Sequence, residues 1–284
     1  MPAYRLSLPQ GHDCRGQRMT TVQWLLLERT EQLLPELYRL GEAPDPIRLF
    51  DSTELAECEE ESPLLINAQT NLSVLAAAQS QPKGWPGLLI ETASPTEEML
   101  THLRQILFIR FDQERRGILR YSRQRTASYF FPACDHETRP IWLGPIQRLS
   151  WYGGTWHDCA DGREAWHHIE NQQATMWHAG AIAYELRVSA MQEQALQRQQ
   201  GEHFLYQWWE QQSGIDFETA WSYLAAGMQA GFASAESLST YLDLRHANPH
   251  AIPPSALPPG TDQQRLDALA QHLPTSTTDK ENSV

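Results

Sequence analysis

Short apolar runs alternate with amphipathic stretches along the first half of the chain. The compact apolar runs predict buried strands over residues 22–28, 47–51, 62–68 and 87–93. Helical spacing of apolar residues between these runs predicts helices over residues 30–41, 71–79 and 94–106. Strands that alternate with helices are typical of a mixed α/β lobe.

A β-hairpin is the clearest local pattern. Residues 106–112 and 118–123 are strand-like, and Gly117 in their connection supplies the flexible residue that a tight turn needs. A short helix is predicted over 125–133. A further strand, interrupted at Gly144-Pro145, is predicted over 141–154.

Beyond residue 180 the apolar spacing becomes helical. Residues 181–214 predict one long helix, or two joined near Gly201, with a glutamine-rich middle. Residues 217–232 follow with Asp216 as the expected N-cap, and 234–246 form one more helix. The sequence therefore predicts an α+β fold, in which an N-terminal mixed α/β lobe with a β-hairpin precedes an all-helical C-terminal lobe.

These patterns divide the chain into five segments. We expect a loose lead-in, an α/β lobe, a connecting segment, a helical lobe, and a proline-rich linker with a short amphipathic stretch and a tail expected to be disordered. Their predicted ranges are 1–20, 21–155, 156–180, 181–247 and 248–284.

Composition narrows the class of protein. With 41% hydrophobic residues and 10 tryptophans among 284 residues, the chain can build a substantial core. A net charge of -13 disfavours nucleic acid as a partner. A mean hydropathy of -0.52 and the absence of a long apolar run disfavour a membrane span. Four scattered cysteines and no apolar leader at the N-terminus predict a cytoplasmic location.

The common catalytic motifs are missing from the sequence. It contains no glycine-rich phosphate loop, no GxGxxG, no GxSxG and no HExxH. The sequence therefore carries no catalytic signature, and we expect no cofactor.

One constellation has the chemistry of a metal site. Cys134-x-His136 and His157-x-Cys159 are mirrored pairs of zinc-ligand types, and residues two apart on a strand share a face. Structural zinc sites favour two to four residues between paired ligands, however. Surface histidines with incidental thiols are thus the main interpretation, and a zinc-dependent hydrolase is an alternative.

Arginines concentrate around the predicted hairpin. Seven of them fall within 22 residues that hold only two acids: Arg104, Arg110, Arg115, Arg116, Arg120, Arg123 and Arg125. Residues 190–284 carry 11 acids against four bases. Opposite charge on the two lobes predicts either charge-matched packing between them or a docking groove.

Four aromatic residues cluster in the first predicted helix of the C-terminal lobe: Phe204, Tyr206, Trp208 and Trp209. Aromatic side chains mostly lie in cores, which is the simpler interpretation. The alternative is that Tyr206 or Trp209 faces a groove, where tyrosine and tryptophan commonly anchor a partner.

The order of several short motifs resembles a known family. The motifs are SPLLINA, GLLIETAS, HLRQIL, ILRYSRQR and LGPI, at residues 62–68, 87–94, 102–107, 118–125 and 143–146. In this order they resemble the adaptor or chaperone family of bacterial type VI secretion, often called Tap or Tec. The resemblance covers residues 22–155 in detail.

The chain departs from the family pattern at the second strand of the hairpin. The family usually has Arg-aromatic-Tyr-Asp-Pro-Arg there. Arg120 and Tyr121 match its start and Arg125 its later arginine, whereas Arg123-Gln124 stand in place of Asp-Pro. A cation thus replaces a carboxylate, which marks the chain as a divergent member.

The resemblance implies a cytoplasmic, non-enzymatic adaptor. Such a protein binds the N-terminal region of a cognate toxic effector and helps to load it onto the VgrG spike. A toxin-neutralising immunity protein is a further alternative. The candidate partner-binding residues are Arg120, Tyr121, Arg123, Arg125, Tyr206, Trp208 and Trp209.

Overall fold

The computed structural model describes residues 21–41, 44–111, 115–178, 185–254 and 256–273. The strands are β1 (Val22–Leu27), β2 (Ile47–Arg48), β3 (Leu64–Asn67), β4 (Gly87–Thr92), β5 (Phe108–Arg110), β6 (Arg116–Ile118), β7 (Ile146–Gly153), β8 (Ala165–Glu170) and β9 (Leu186–Arg187). The α-helices are α1 (Leu33–Leu40), α2 (Leu72–Ser80), α3 (Thr96–Gln105), α4 (Gln124–Phe130), α5 (Arg139–Leu143), α6 (Trp156–Ala160), α7 (Ala190–Trp209), α8 (Phe217–Gln229), α9 (Ala235–Ala247) and α10 (Asp262–His272). The predicted α+β class is confirmed.

A six-stranded antiparallel sheet in the order β2-β3-β1-β4-β7-β8 forms the centre of the α/β lobe. Both faces of β1 are covered: Trp24 and Leu26 pack with α3 and α4, whereas Leu25 and Leu27 pack with α1 and α2. Burial on two sides explains why this strand is a continuous apolar run instead of an alternating one. The four strands predicted from such runs are confirmed, although β2 is only two residues long.

The predicted hairpin is present, but its second strand is displaced. β5 and β6 pair antiparallel, and β9 adds a parallel strand on the other side of β5. The strand expected over 118–123 ends at Ile118 instead, and the chain turns where Arg123 N–H bonds the Arg120 carbonyl at 3.1 Å. The turn directs the Tyr121 side chain into the core, where its hydroxyl donates to the Leu103 carbonyl at 2.7 Å.

The region from 141 to 180 differs most from prediction. The expected strand over 141–154 begins only at Ile146, because its first part is the end of α5 and Gly144 reverses the chain with a φ of 54°. A complete strand, β8, lies in the predicted connecting segment. Its sequence AWHHIE has no apolar run, and the large apolar side chains Trp166 and Ile169 point to opposite faces, so the strand pattern is weak.

The second lobe consists of α7 to α10 around its own core, which includes Leu205, Phe217, Leu242 and Leu266. α7 runs through Gly201 without a break. Asp216 caps α8 as predicted, accepting the Thr219 N–H at 2.7 Å.

The structure differs from the prediction at both ends of the helical lobe. Residues 186–187 belong to β9 instead of the long helix, and residues 179–184 lie outside the described part. α10 follows the proline-rich stretch and packs Leu266 and Leu269 into the helical core. The expected disordered tail, residues 274–284, also lies outside the described part.

No helix within the described ranges combines the length and the apolar character that a membrane crossing requires.

Candidate partner-binding groove

A groove of about 670 Å³ lies between the hairpin and residues 193–203 of α7. Its floor is apolar and is formed by Ile109, Phe111, Ile118, Leu119 and Leu196. Four arginines and the glutamine-rich face of α7 form its walls, and Trp156 and His203 line it as well. Ile118 is 48% exposed, so the floor offers apolar surface to a ligand.

The two walls are held together through a buried carboxylate. Glu202 of α7 is 1% exposed. It accepts the Tyr129 hydroxyl of α4 at 2.5 Å, the His157 N–H of α6 at 3.1 Å, and Arg198 Nε at 2.5 Å. Burial and the bond to Glu202 raise the pKa of Tyr129. A buried carboxylate is stable only when its lone pairs are satisfied, and this one fixes three helices relative to one another.

Aromatic stacking forms one end of the groove. His203 stacks on Trp156 with ring centroids 4.6 Å apart and an interplanar angle of 17°. The Arg125 guanidinium also lies over the Trp156 ring, 4.6 Å from its centroid. Arg125 also donates to the carbonyls of Gly154 and Thr155 at 2.8 and 2.7 Å and to Glu164 at 3.0 Å. Arg125 is thus largely engaged in positioning Trp156.

Arg120 and Arg123 present charge to the groove in different ways. Arg120 donates to the Glu61 carboxylate and lies 5.2 Å from the Phe50 ring centroid. Arg123 is 57% exposed at its side chain, and its Nε is 3.7 Å from the Glu28 carboxylate. Burial raises the pKa of Glu28, and Arg123 acts in the opposite direction. Arg123 is the more accessible of the two cations.

Arginine is the main charged residue type in the lining of the groove. Arg115, Arg120, Arg123 and Arg125 line it, and Glu193 is the acid among its lining residues within the described part. Arg115 pairs with Glu193 at 3.4 Å. Each of these arginines pairs with an acid, and the Arg123 contact is the longest of the four, at 3.7 Å. Arg123 is therefore the arginine best placed to bond an acidic side chain of a segment that lies on the apolar floor.

Charge matching between the lobes is a prediction that the structure corrects. Most arginines of the hairpin region pair with acids of the α/β lobe or the segment just before α7: Glu28, Glu54, Glu61, Glu164 and Glu185. In the described part of the chain, Glu193 is the acid of residues 190–284 that joins these pairs. Glu202 of the same lobe bonds Tyr129, His157 and Arg198 instead of the arginines of the hairpin region.

Two predicted partner-binding residues belong to the core, which corrects their interpretation. Tyr121 is fully buried, so it has no surface to offer to a partner, and burial raises the pKa of its hydroxyl. Trp208 is 8% exposed in the helical core, where its indole N–H donates to Asp243 at 2.8 Å.

Tyr206 and Trp209 are half-buried and lie outside the groove. The Tyr206 ring packs against Trp156 at 4.9 Å, and its hydroxyl is 3.6 Å from the Cys159 sulfur. Trp209 packs edge-on against Phe217 at 5.7 Å and donates to the Ile215 carbonyl at 2.9 Å. The structure therefore places Arg120, Arg123 and Arg125 in the groove, whereas the candidate aromatic residues of α7 lie outside it.

Trp156, His203 and the apolar floor are groove residues that sequence reasoning missed. The glutamine-rich middle of α7 indicates a solvated helix face, but nothing in the sequence indicates that α6 and the hairpin lie beside it.

The Cys/His pairs do not assemble into a metal site. Cys134 is buried, and its sulfur contacts the Gln192 amide at 3.2 Å, while His136 is exposed. His157 and Cys159 lie on α6, where His157 is 3.5 Å from Asp161. Within the described ranges no three His, Cys, Asp or Glu side chains are grouped so that they could hold a metal ion.

Comparisons with known proteins agree in part with the resemblance. Neither the curated proteins nor the solved structures gave a match to this chain. Residues 24–140, less than half of the chain, match the model of a family described as "Domain of unknown function (DUF4123)".

Proposed function

We propose that the protein is a non-enzymatic adaptor that binds a type VI secretion effector and assists its loading onto the VgrG spike. The family match over residues 24–140 supports this proposal, because it covers most of the motifs whose order resembles the Tap or Tec adaptors. As an adaptor that hands over its client before secretion, the protein would act in the cytoplasm.

The observation that carries the proposal is the groove between the hairpin and α7. Its apolar floor and exposed Arg123 suit an amphipathic segment that carries acidic side chains. Its wall residues come from both lobes, so a bound segment would contact both of them. A client segment of this kind is the ligand that we assign to the groove.

Glutamine and arginine side chains along the groove favour reversible binding. Gln197, Gln199 and Gln200 offer donors and acceptors that adapt to different backbone positions. An adaptor has to release its client at the spike, and a groove that is partly polar and open to solvent permits such exchange.

Co-expression with the toxin encoded beside this gene tests the proposal. We expect the two proteins to elute together in size-exclusion chromatography, and we expect the N-terminal half of the toxin to suffice for co-elution. Separate elution together with unchanged effector stability would refute the proposal. Binding confined to the catalytic half would indicate a neutralising protein instead.

A further inference from the structure

Among the described residues, no strand pairs with the outer side of the edge strand β8. β8 ends the six-stranded sheet and pairs only with β7 in the described part of the chain. It is six residues long and has no proline or lysine. Proteins commonly protect an edge of this length with such residues, a bulge or a covering element.

The direction of the unpaired backbone groups follows from one hydrogen bond. The Asn171 N–H donates to the Gln147 carbonyl at 2.9 Å, one position beyond the ladder in the same register. Residues of an antiparallel strand face the partner strand alternately. Ala165, His167 and Ile169 therefore bond to β7, whereas the N–H and C=O groups of the three intervening residues point away from it. These three residues are Trp166, His168 and Glu170.

A hollow of about 350 Å³ runs along this edge on the core side of the sheet. Pro132, Trp151 and Ile169 give it an apolar lining. Arg139 of α5, His168 and Glu170 also line it, and the Glu170 carboxylate pairs with Arg148 at 2.5 Å. A strand laid against β8 would direct alternate side chains into this hollow, because neighbouring strands share their side-chain faces.

Arg139 supplies the second, independent observation. Its Nε is buried without a hydrogen-bond partner among the described residues, and no carboxylate there lies within ion-pair distance. Asp135 lies four residues earlier, but its carboxylate accepts the Thr138 N–H and hydroxyl, each at 2.7 Å. Arg139 as a whole is half-buried and lines the hollow, so its guanidinium can donate to an acceptor that enters there.

We propose that the free edge of β8 is a docking site for an extended peptide segment of a partner protein. The segment adds a seventh strand to the sheet, places apolar side chains in the hollow, and carries a carboxylate opposite Arg139. This site shares no residue with the groove. The proposal for β8 is therefore independent of the proposed client binding in the groove.

A synthetic peptide tests this site on the full chain without any effector. The probe is a seven-residue peptide that alternates threonine and valine, with glutamate in place of the central valine. Amide hydrogen exchange of the protein is followed by NMR at increasing peptide concentration. We expect exchange at Trp166, His168 and Glu170 to slow by about tenfold or more, because these amides gain acceptors. Ala165, His167 and Ile169 should be protected before and after peptide addition.

Three comparisons separate strand addition from other binding. A peptide with glutamine in place of glutamate should bind about tenfold more weakly, in line with the added strength of a charge-assisted bond. R139Q should abolish that difference between the peptides. The glutamate peptide with alternate backbone amides methylated should give no protection, because it cannot form a ladder.

Three results would overturn the proposal. The first is unchanged exchange at all three amides under millimolar peptide. The second is full protection of these amides in the isolated monomer, which would mean that the chain itself covers the edge. The third is protection that rises with protein concentration alone, because a second copy would then be the occupant.

Discussion

The hydroxyl of Tyr129 donates to the buried carboxylate of Glu202 at 2.5 Å, across 73 positions of sequence. The same hydroxyl oxygen accepts the Trp156 N–H at 2.8 Å, so one pair of residues joins α4, α6 and α7. This junction sets the distance between the two walls of the groove. The bond between Tyr129 and Glu202 therefore contributes both to the stability of the protein and to the width of the groove.

Removing either member of this pair should destabilise the protein. We expect Tyr129→Phe to lower the free energy of unfolding by about 2 kcal/mol, because a buried hydrogen bond to a charged group is lost. Glu202→Gln should have a similar effect. In the double variant the loss should fall short of additivity by about 1 kcal/mol, since both changes remove the same bond. Urea unfolding followed by tryptophan fluorescence gives these values.

The exposed Tyr38 provides a matched control for this experiment. Tyr38→Phe should change the free energy of unfolding by no more than about 0.5 kcal/mol. Full additivity of Tyr129→Phe and Glu202→Gln would contradict the assigned pair.

His102 should make the protein sensitive to mild acid. Its ring is fully buried beside Trp177, and Nε2 is 3.0 Å from the Trp142 carbonyl. Burial lowers the pKa of His102 from 6.5 to about 4. Between these values the unfolded chain binds a proton that the folded protein does not bind. Stability should therefore fall as the pH drops from about 6.5 to 4, by about 3 kcal/mol in total from this residue.

Chemical unfolding of wild type and His102→Gln at several pH values isolates the contribution of this residue. We expect the variant to be less stable than the wild type at neutral pH and to lack this part of the pH dependence. Equal slopes for the two proteins between pH 6.5 and 4 would show that the buried ring is not responsible.

Tyr121 and Trp208 should matter for stability and not for client binding. Tyr121→Phe removes the bond to the Leu103 carbonyl, and we expect a loss of about 1 kcal/mol. Trp208→Phe removes the bond to Asp243 and core volume, which should cost about 2 kcal/mol. Client affinity should stay within about twofold in both variants, because neither side chain lies in the groove. A tenfold loss of affinity in a folded Tyr121→Phe protein would contradict the core assignment.

The Cys134 thiol should be inert. Burial raises its pKa to about 12, so the reactive thiolate is scarce near neutral pH. Cys58 is exposed and serves as the internal control. After brief iodoacetamide treatment at about pH 8, mass spectrometry should find Cys58 alkylated and Cys134 intact. Comparable modification of both would mean that the loop around Cys134 opens. Zinc content of the same preparation tests the alternative metal interpretation.

The sequence predicts those parts of the fold that local pattern determines. The apolar run of β1 and the Asp216 cap of α8 are read from adjacent residues, because burial on two faces and capping both leave short-range signals. β8 was not predicted, because it is a strand through its pairing with β7 and not through its own composition.

The candidate site is only partly predictable for the same reason. Arg123 and Tyr121 are two positions apart, yet one faces solvent and the other is fully buried, because the chain turns instead of continuing as a strand. Trp156 and His203 meet only after α6 and α7 pack together. Long-range packing of this kind leaves no mark at fixed spacing.

Affinity for the N-terminal half of the effector tests the central claim that the groove holds the client. Calorimetric titration compares wild type with Ile118→Asp and Arg123→Glu in the groove, and with Leu72→Asp on the exposed face of α2 as control. We predict that each groove variant raises the Kd by about tenfold or more and that the control leaves it unchanged. Wild-type affinity in both folded groove variants would contradict the account.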